Sequence, residues 1–293
     1  SMSWYTEYKK SLKMAAVEEY IDLVFYRPLA FLLVKSIYST RIKPDNLTFA
    51  AIVTGLAAAV FYALGQSWAA TAGAVLYALF IVLDCSDGQL ARLKKSGSHI
   101  GRIVDGAADY MVVTAVYIGL AISISRDKNI PAIMLGWLFL SGISTVIQSM
   151  LVDFYRTRFL DIVVKRQNTF SDGIIEYRKE YLRLKKIRGK WLEKRIIYLY
   201  LLYSKLQSKL TPRRHKIEFH DVATEEYFRK NSLIIRFWVL IGPSASRTTL
   251  IICTFLKRFD LYLWITIGVF NILVMLLLII QHIIDKSYRT NSN

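Results

Sequence analysis

Residues 83–110 read LDCSDGQLARLKKSGSHIGRIVDGAADY. The stretch closes one apolar run (68–83, WAATAGAVLYALFIVL) and opens the next (103–125), and it carries four aspartates, Asp84, Asp87, Asp105 and Asp109. Runs of this length approach the roughly 20 residues that a helix needs to cross a bilayer. Asp84 and Asp87 stand one helical turn apart at the end of the first run. Asp105 and Asp109 stand one turn apart at the start of the second, so each pair shares a helix face. The short connection predicts antiparallel neighbouring helices, with both pairs at one depth. Four carboxylates so placed repel one another strongly unless protons or cations intervene. A divalent metal is the economical counter-charge, and all-oxygen ligation selects Mg2+, Mn2+ or Ca2+. Two metals suit four carboxylates better than one, because oxygens can bridge. Gly88 and Gly101, with the small Ala91, leave the backbone open to a flat ring or a phosphate. Arg92 offers a bidentate guanidinium to a diphosphate.

Outward from this stretch the chain keeps the same character. Of its 293 residues, 54% are hydrophobic, more than a soluble domain of this length needs. Six apolar runs predict transmembrane helices, at 47–65, 68–83, 103–125, 131–152, 232–256 and 260–284. Small residues are frequent in the first three, as close packing of membrane helices prefers. Ahead of them, residues 4–40 mix charge, aromatics and short greasy runs, which predicts an amphipathic helix lying in the interface. A tilted span at 21–40 is the alternative. Ser1 to Lys13 is polar and charged and is not read as a signal peptide. Between the fourth and fifth runs, residues 153–231 carry twenty Lys and Arg against ten Asp and Glu, in a sequence rich in helix formers. The expected fold is an all-α integral membrane protein. It has an interfacial region (1–42), four catalytic spans (43–152), a basic helical insert (153–231), and two further spans with a tail (232–293).

The formal charge of +17 does not point to nucleic acid. It lies in loops between spans, where anionic headgroups and the positive-inside rule account for it. With the insert in the cytoplasm, six spans put the 93–102 loop and both termini on that side, so the aspartates are expected to face the cytoplasm. Cys85 and Cys253 each fall in an apolar run and predict buried thiols, not a disulfide. Arg236 and Arg247 are eleven residues apart inside the fifth run, about three turns of an unbroken helix. They read as a pocket for a phosphorylated alcohol, or as snorkelling or structural pairing with an acid, helped by a break at Gly242-Pro243. Arg156 and Arg158 end the fourth run and read first as headgroup anchors, with Arg156 kept as an acceptor-binding candidate. His99 reads as solvated. His215 and His220 do not share a helical face and do not make a zinc site.

The spacing Asp84-x2-Asp87-Gly88-x2-Ala91-Arg92-x8-Gly101-x3-Asp105-x3-Asp109 is similar to the signature of the CDP-alcohol phosphotransferase family. The motif resemblance covers 84–109, and the layout resembles that family over most of the chain, the basic insert least. The resemblance implies transfer of a phosphatidyl or other phospho-alcohol group from a CDP-alcohol to a second alcohol, with release of CMP. It implies a pair of Mg2+ or Mn2+ ions on Asp84, Asp87 and Asp105, with Asp109 contributing to the metal site and acting as general base. Gly88, Arg92 and Gly101, with Asp84, would line the CDP pocket. Thr48 would contact the nucleotide, although Asp45 stands in Pro44-Asp45-Asn46-Leu47-Thr48 where the family often has Asn. A homodimer is implied as well. The expected reaction moves a phosphatidyl group from CDP-diacylglycerol to a small polar alcohol, inositol phosphate or glycerol phosphate. The alternative gives a CDP-activated headgroup such as choline or ethanolamine to a lipid alcohol. A cation transporter using the four carboxylates as its ion site would give no reason for Gly88, Arg92 and Gly101.

Overall fold

The computed structural model describes residues 4–12, 17–96, 99–163, 178–185, 187, 194–195, 197–198, 201–202 and 224–289, with 4–5, 99–103, 105–106, 224 and 288–289 described by backbone alone. All regular elements among them are helical. A short helix α1 (Trp4–Ser11) precedes a π-helical stretch, Asp22–Tyr26, that runs directly into α2 (Arg27–Ile37). Then come α3 (Pro44–Ala63), α4 (Ser67–Lys94), α5 (His99–Arg126) and α6 (Ile133–Val163). After the insert follow α7 (Thr224–Trp238), a 3-10 turn (Val239–Ile241) and α8 (Pro243–Phe255). The final rod is α9 (Phe259–Leu263), a π stretch (Trp264–Val269) and α10 (Phe270–Arg289).

Five helices are long and apolar enough to cross a membrane: Pro44–Ala63, Ser67–Lys94, Ala107–Arg126, Ile133–Val163 and Phe259–Ser287. Among the described residues the chain is therefore all-helical, with the spans of a multi-pass membrane protein. The run at 232–256 is not one rod. Gly242 is extended (φ −73°, ψ 177°) and Pro243 starts a new helix, so α7 and α8 meet at a break. A proline lacks the amide that would continue the ladder and fits only a first turn. The helical stretch from Asp22 through Ile37 holds 5 and then 11 residues. It is not among the helices long and apolar enough to cross a membrane. Its Ala30, Phe31 and Val34 are buried while Val24, Phe25, Leu29 and Leu32 are exposed, a two-sided helix lying against α4.

The connection between α4 and α5 is short, yet among the described residues the two helices make few direct contacts, contrary to the expectation of packed neighbours; α3 lies along both. The reason is its ridge of small residues. Gly55 of α3 faces Val112 of α5 and Phe80 of α4, Gly73 of α4 rests on the Ala58 carbonyl, and Gly119 of α5 rests on the Ala59 carbonyl. Backbones approach this closely only where side chains are missing. A Cβ at Gly119 would overlap the Ala59 carbonyl oxygen, and backbone cannot swing aside as a flexible side chain can. Gly119→Ala is expected to destabilise the bundle by about 1–3 kcal/mol. Thermal melting in detergent would read this, and an unchanged midpoint would mean that α3 and α5 can part here without cost.

α6 and the final rod are joined by polar contacts. Gln148 Nε2 donates to the Thr266 carbonyl (2.9 Å) and to Asn271 Oδ1 (2.8 Å), and Asn271 Nδ2 donates to Ser144 Oγ (2.9 Å). The π stretch around Thr266 displaces carbonyls from their usual partners, and Gln148 satisfies one of them. Cys85 and Cys253 are buried and free, as expected. The helices expected in the insert fall mostly outside the described residues, as do His215 and His220; 178–185 is helical, and α6 runs past the fourth apolar run to Val163.

Candidate active site

α4 ends in a left-handed Lys95 (φ 48°), whose amide bonds back to the Ala91 carbonyl. Lys94 Nζ donates to the Thr40 and Ile42 carbonyls (3.0 and 2.9 Å), which ties this end of α4 to the connection leading into α3. The aspartates lie in the last turns of α4 and the first turns of α5. Asp87 is buried, and its Oδ2 accepts a 2.5 Å hydrogen bond from Thr48 Oγ1 on α3. Thr48, expected as a nucleotide contact, therefore orients a carboxylate. Asp45 lies in the first turn of α3, where the helix dipole favours an anion. Asp84 is half-buried one turn before Asp87.

Asp109 of α5 pairs with Arg247 of α8, Oδ1 to Nη2 at 2.9 Å. The two side chains are 35% and 8% exposed, so the arginine is buried and the carboxylate is partly exposed. The guanidinium also lies 5.7 Å from the centroid of Phe80, within cation–π range. Among the described residues, no three His, Cys, Asp or Glu side chains gather closely enough to hold one ion. Asp105 and Gly101 belong to α5 by backbone, and their surroundings lie outside the described residues, as do those of His99. The donor chemistry at this end of the bundle, carboxylate oxygen throughout, fits a hard divalent cation.

Gly88 and Arg92 make the second half of the site. The three atoms nearest to a side chain built at Gly88 all belong to the Arg92 guanidinium, at 3.4–3.8 Å. Arg92 Nε donates to the Ser11 carbonyl at the end of α1 (2.5 Å), while its buried Nη2 has no hydrogen-bond partner. A bare backbone beside a guanidinium nitrogen without a hydrogen-bond partner suits the approach of an anionic group.

The arginine candidates separate. Arg247 is buried at the site and Arg236 is exposed; the break at Gly242 and Pro243 removes the common face that an unbroken helix would have given them. Arg156 is half-buried in the last third of α6, and Arg158 pairs with Asp285 at 2.7 Å. The sequence reading missed the buried acids of the N-terminal segment, Glu18, Glu19 and Asp22. Glu18 pairs with the buried Arg27 at 3.0 Å, and Glu19 reaches α8. Three acids and an arginine within ten residues of an otherwise greasy segment were the available signal.

The CDP-alcohol phosphatidyltransferase family matches residues 41–170, the segment from the connection before α3 to just beyond α6. A phosphatidylinositol phosphate synthase of Mycolicibacterium smegmatis is 32% identical over 126 residues, which are 41% of this chain and 52% of that protein. The chain thus spans about half the length of this relative. No solved structure matches the chain significantly.

Proposed function

We propose, on the premise that residues 41–170 belong to the CDP-alcohol phosphatidyltransferase family, that this chain transfers a phosphatidyl group from CDP-diacylglycerol to a small phosphorylated alcohol, releasing CMP. The observation that carries the reading is the Asp109–Arg247 pair of 2.9 Å, a partly exposed carboxylate backed by a buried cation. A carboxylate can take the acceptor's hydroxyl proton, and a buried guanidinium is suited to a phosphate on the same acceptor. The relative's name, phosphatidylinositol phosphate synthase, supports a product of that kind and favours inositol phosphate over glycerol phosphate.

In this reading Asp84, Asp87, Asp105 and Asp109 hold Mg2+ or Mn2+, with Thr48 fixing Asp87. When bound, such ions neutralise charge on a diphosphate and on the CMP that leaves. Gly88, Arg92 and Gly101 receive the CDP, and Asp109 acts as base. The cytoplasm-facing site, the interfacial placement of α1 and α2, and a sixth crossing by α7 and α8 through their break belong to the same proposal. Irregular backbone at membrane depth is tolerated where it lines a cavity or is satisfied by protein. The exposed apolar face of α6, including Trp137, Phe139 and Ile143, suits lipid chains or a second copy of the chain.

The test is CMP release by purified protein in mixed micelles, with CDP-diacylglycerol and a panel of alcohols, with and without EDTA. Activity is expected with a phosphorylated alcohol, to be abolished by chelation and restored by Mg2+ or Mn2+. Release of CMP from CDP-choline or CDP-ethanolamine with diacylglycerol, and none from CDP-diacylglycerol, would reverse the donor assignment.

A further inference from the structure

We infer that Glu19 is a positioning residue: it caps the broken helix at the start of α8 and so sets where Arg247 stands against Asp109. The inference rests on the acceptor role given to Arg247 above. It concerns residues on both sides of the segment that the family match covers.

The break leaves the first amides of α8 without helical partners. Two of them are met from 225 and 226 residues away in sequence: Ser244 N donates to Glu19 Oε1 at 3.3 Å and Ala245 N to Glu19 Oε2 at 3.0 Å. Gly242 is what admits this carboxyl group. The three atoms nearest to a Cβ built there are all from the Glu19 carboxyl group, which such a Cβ would overlap. The glycine is not needed for its backbone, because its φ of −73° is open to any residue. Its requirement is space for Glu19. Arg247 follows the capped amides by less than one turn. On its far side, Thr248 Oγ1 shares a 2.9 Å hydrogen bond with the Tyr26 hydroxyl, a second tether to the same N-terminal segment. Arg247 is therefore held between two anchors that both come from residues 19–26.

Burial, reinforced by the neighbouring Asp22, pushes Glu19 up to about 8. Both carboxyl oxygens accept an amide, and glutamine keeps one acceptor oxygen but turns an NH2 donor toward the second amide, so it replaces only half of the cap.

Acceptor and donor KM measured for Glu19→Ala, Glu19→Gln, Gly242→Ala and the Glu19→Ala/Gly242→Ala double variant test the inference. Glu19→Ala is expected to raise the KM for the phosphorylated acceptor by about tenfold, the loss of roughly one charge-assisted contact at Arg247. The KM for CDP-diacylglycerol should stay within about twofold, and Glu19→Gln, with one acceptor oxygen left, should raise the acceptor KM by less than Glu19→Ala does. Gly242→Ala should raise the acceptor KM in the wild-type background and have no further effect once Glu19 is alanine. Equal shifts in the two KM values, or a Gly242→Ala effect that persists without Glu19, would overturn it. Amide exchange at Ser244 and Ala245 decides the cap without turnover: faster exchange in Glu19→Ala supports it, and unchanged protection rejects it. A wild-type protein that released no CMP would sink the proposed reaction and leave this exchange result standing.

Discussion

Asp109→Asn is expected to lower turnover by about 10²–10⁴-fold while CDP-diacylglycerol still binds, the range by which a positioned base accelerates proton transfer. Asparagine keeps the shape and one acceptor oxygen but cannot accept the acceptor's proton. Asp109 is a described carboxylate that is both partly exposed and backed by a buried cation. Asp87, by contrast, is buried behind Thr48, which suits a ligand better than a base. The substitution also removes a charge facing Arg247. Asp84 acts on the same guanidinium, so Arg247 keeps an anionic neighbour and the fold is expected to survive. CMP release and binding of a fluorescent or radiolabelled CDP-lipid, measured on the same preparation, separate the roles. If binding falls in step with turnover, Asp109 serves the donor or the metal and the base lies elsewhere.

The sequence named candidate site residues but not the packing that surrounds them. The aspartates, Gly88 and Arg92 could be proposed as a site because metal and phosphate chemistry call for these residue types at fixed helical spacings. The packing of α4 and α5 depended on something that local spacing does not express. Gly55, Ala58 and Ala59 make α3 thin enough to lie along both helices, so a short connection did not produce a packed pair. The fifth apolar run is the clearest loss. Its hydropathy reads as one span, and the Gly242-Pro243 pair was visible. What a break there would be for depends on Glu19, more than two hundred residues earlier. Pairings of that range appear only in the folded chain. Thr48 is an intermediate case: its position was singled out, but its hydroxyl meets Asp87 across 39 residues and so serves a carboxylate first.

Arg247→Ala is expected to raise the KM for a phosphorylated acceptor by about 10²-fold, as a charge-assisted contact of up to about 3 kcal/mol is lost. The KM for CDP-diacylglycerol should be nearly unchanged. A stability loss accompanies it. Breaking a fully buried ion pair costs about 3–5 kcal/mol, and here the figure is smaller because the Asp109 carboxylate that remains is 35% exposed and can be hydrated. The cation–π contact with Phe80 disappears as well. Arg247→Lys separates the two effects. Lysine keeps the charge and much of the stem, so the melting temperature should recover most of its loss. It lacks the planar fork, so acceptor KM should stay raised relative to wild type. An unphosphorylated acceptor gives the internal control. If inositol and inositol phosphate lose equally on Arg247→Ala, the guanidinium holds Asp109 in place and does not read the phosphate. If only inositol phosphate loses, the buried cation is the feature that selects a phosphorylated alcohol.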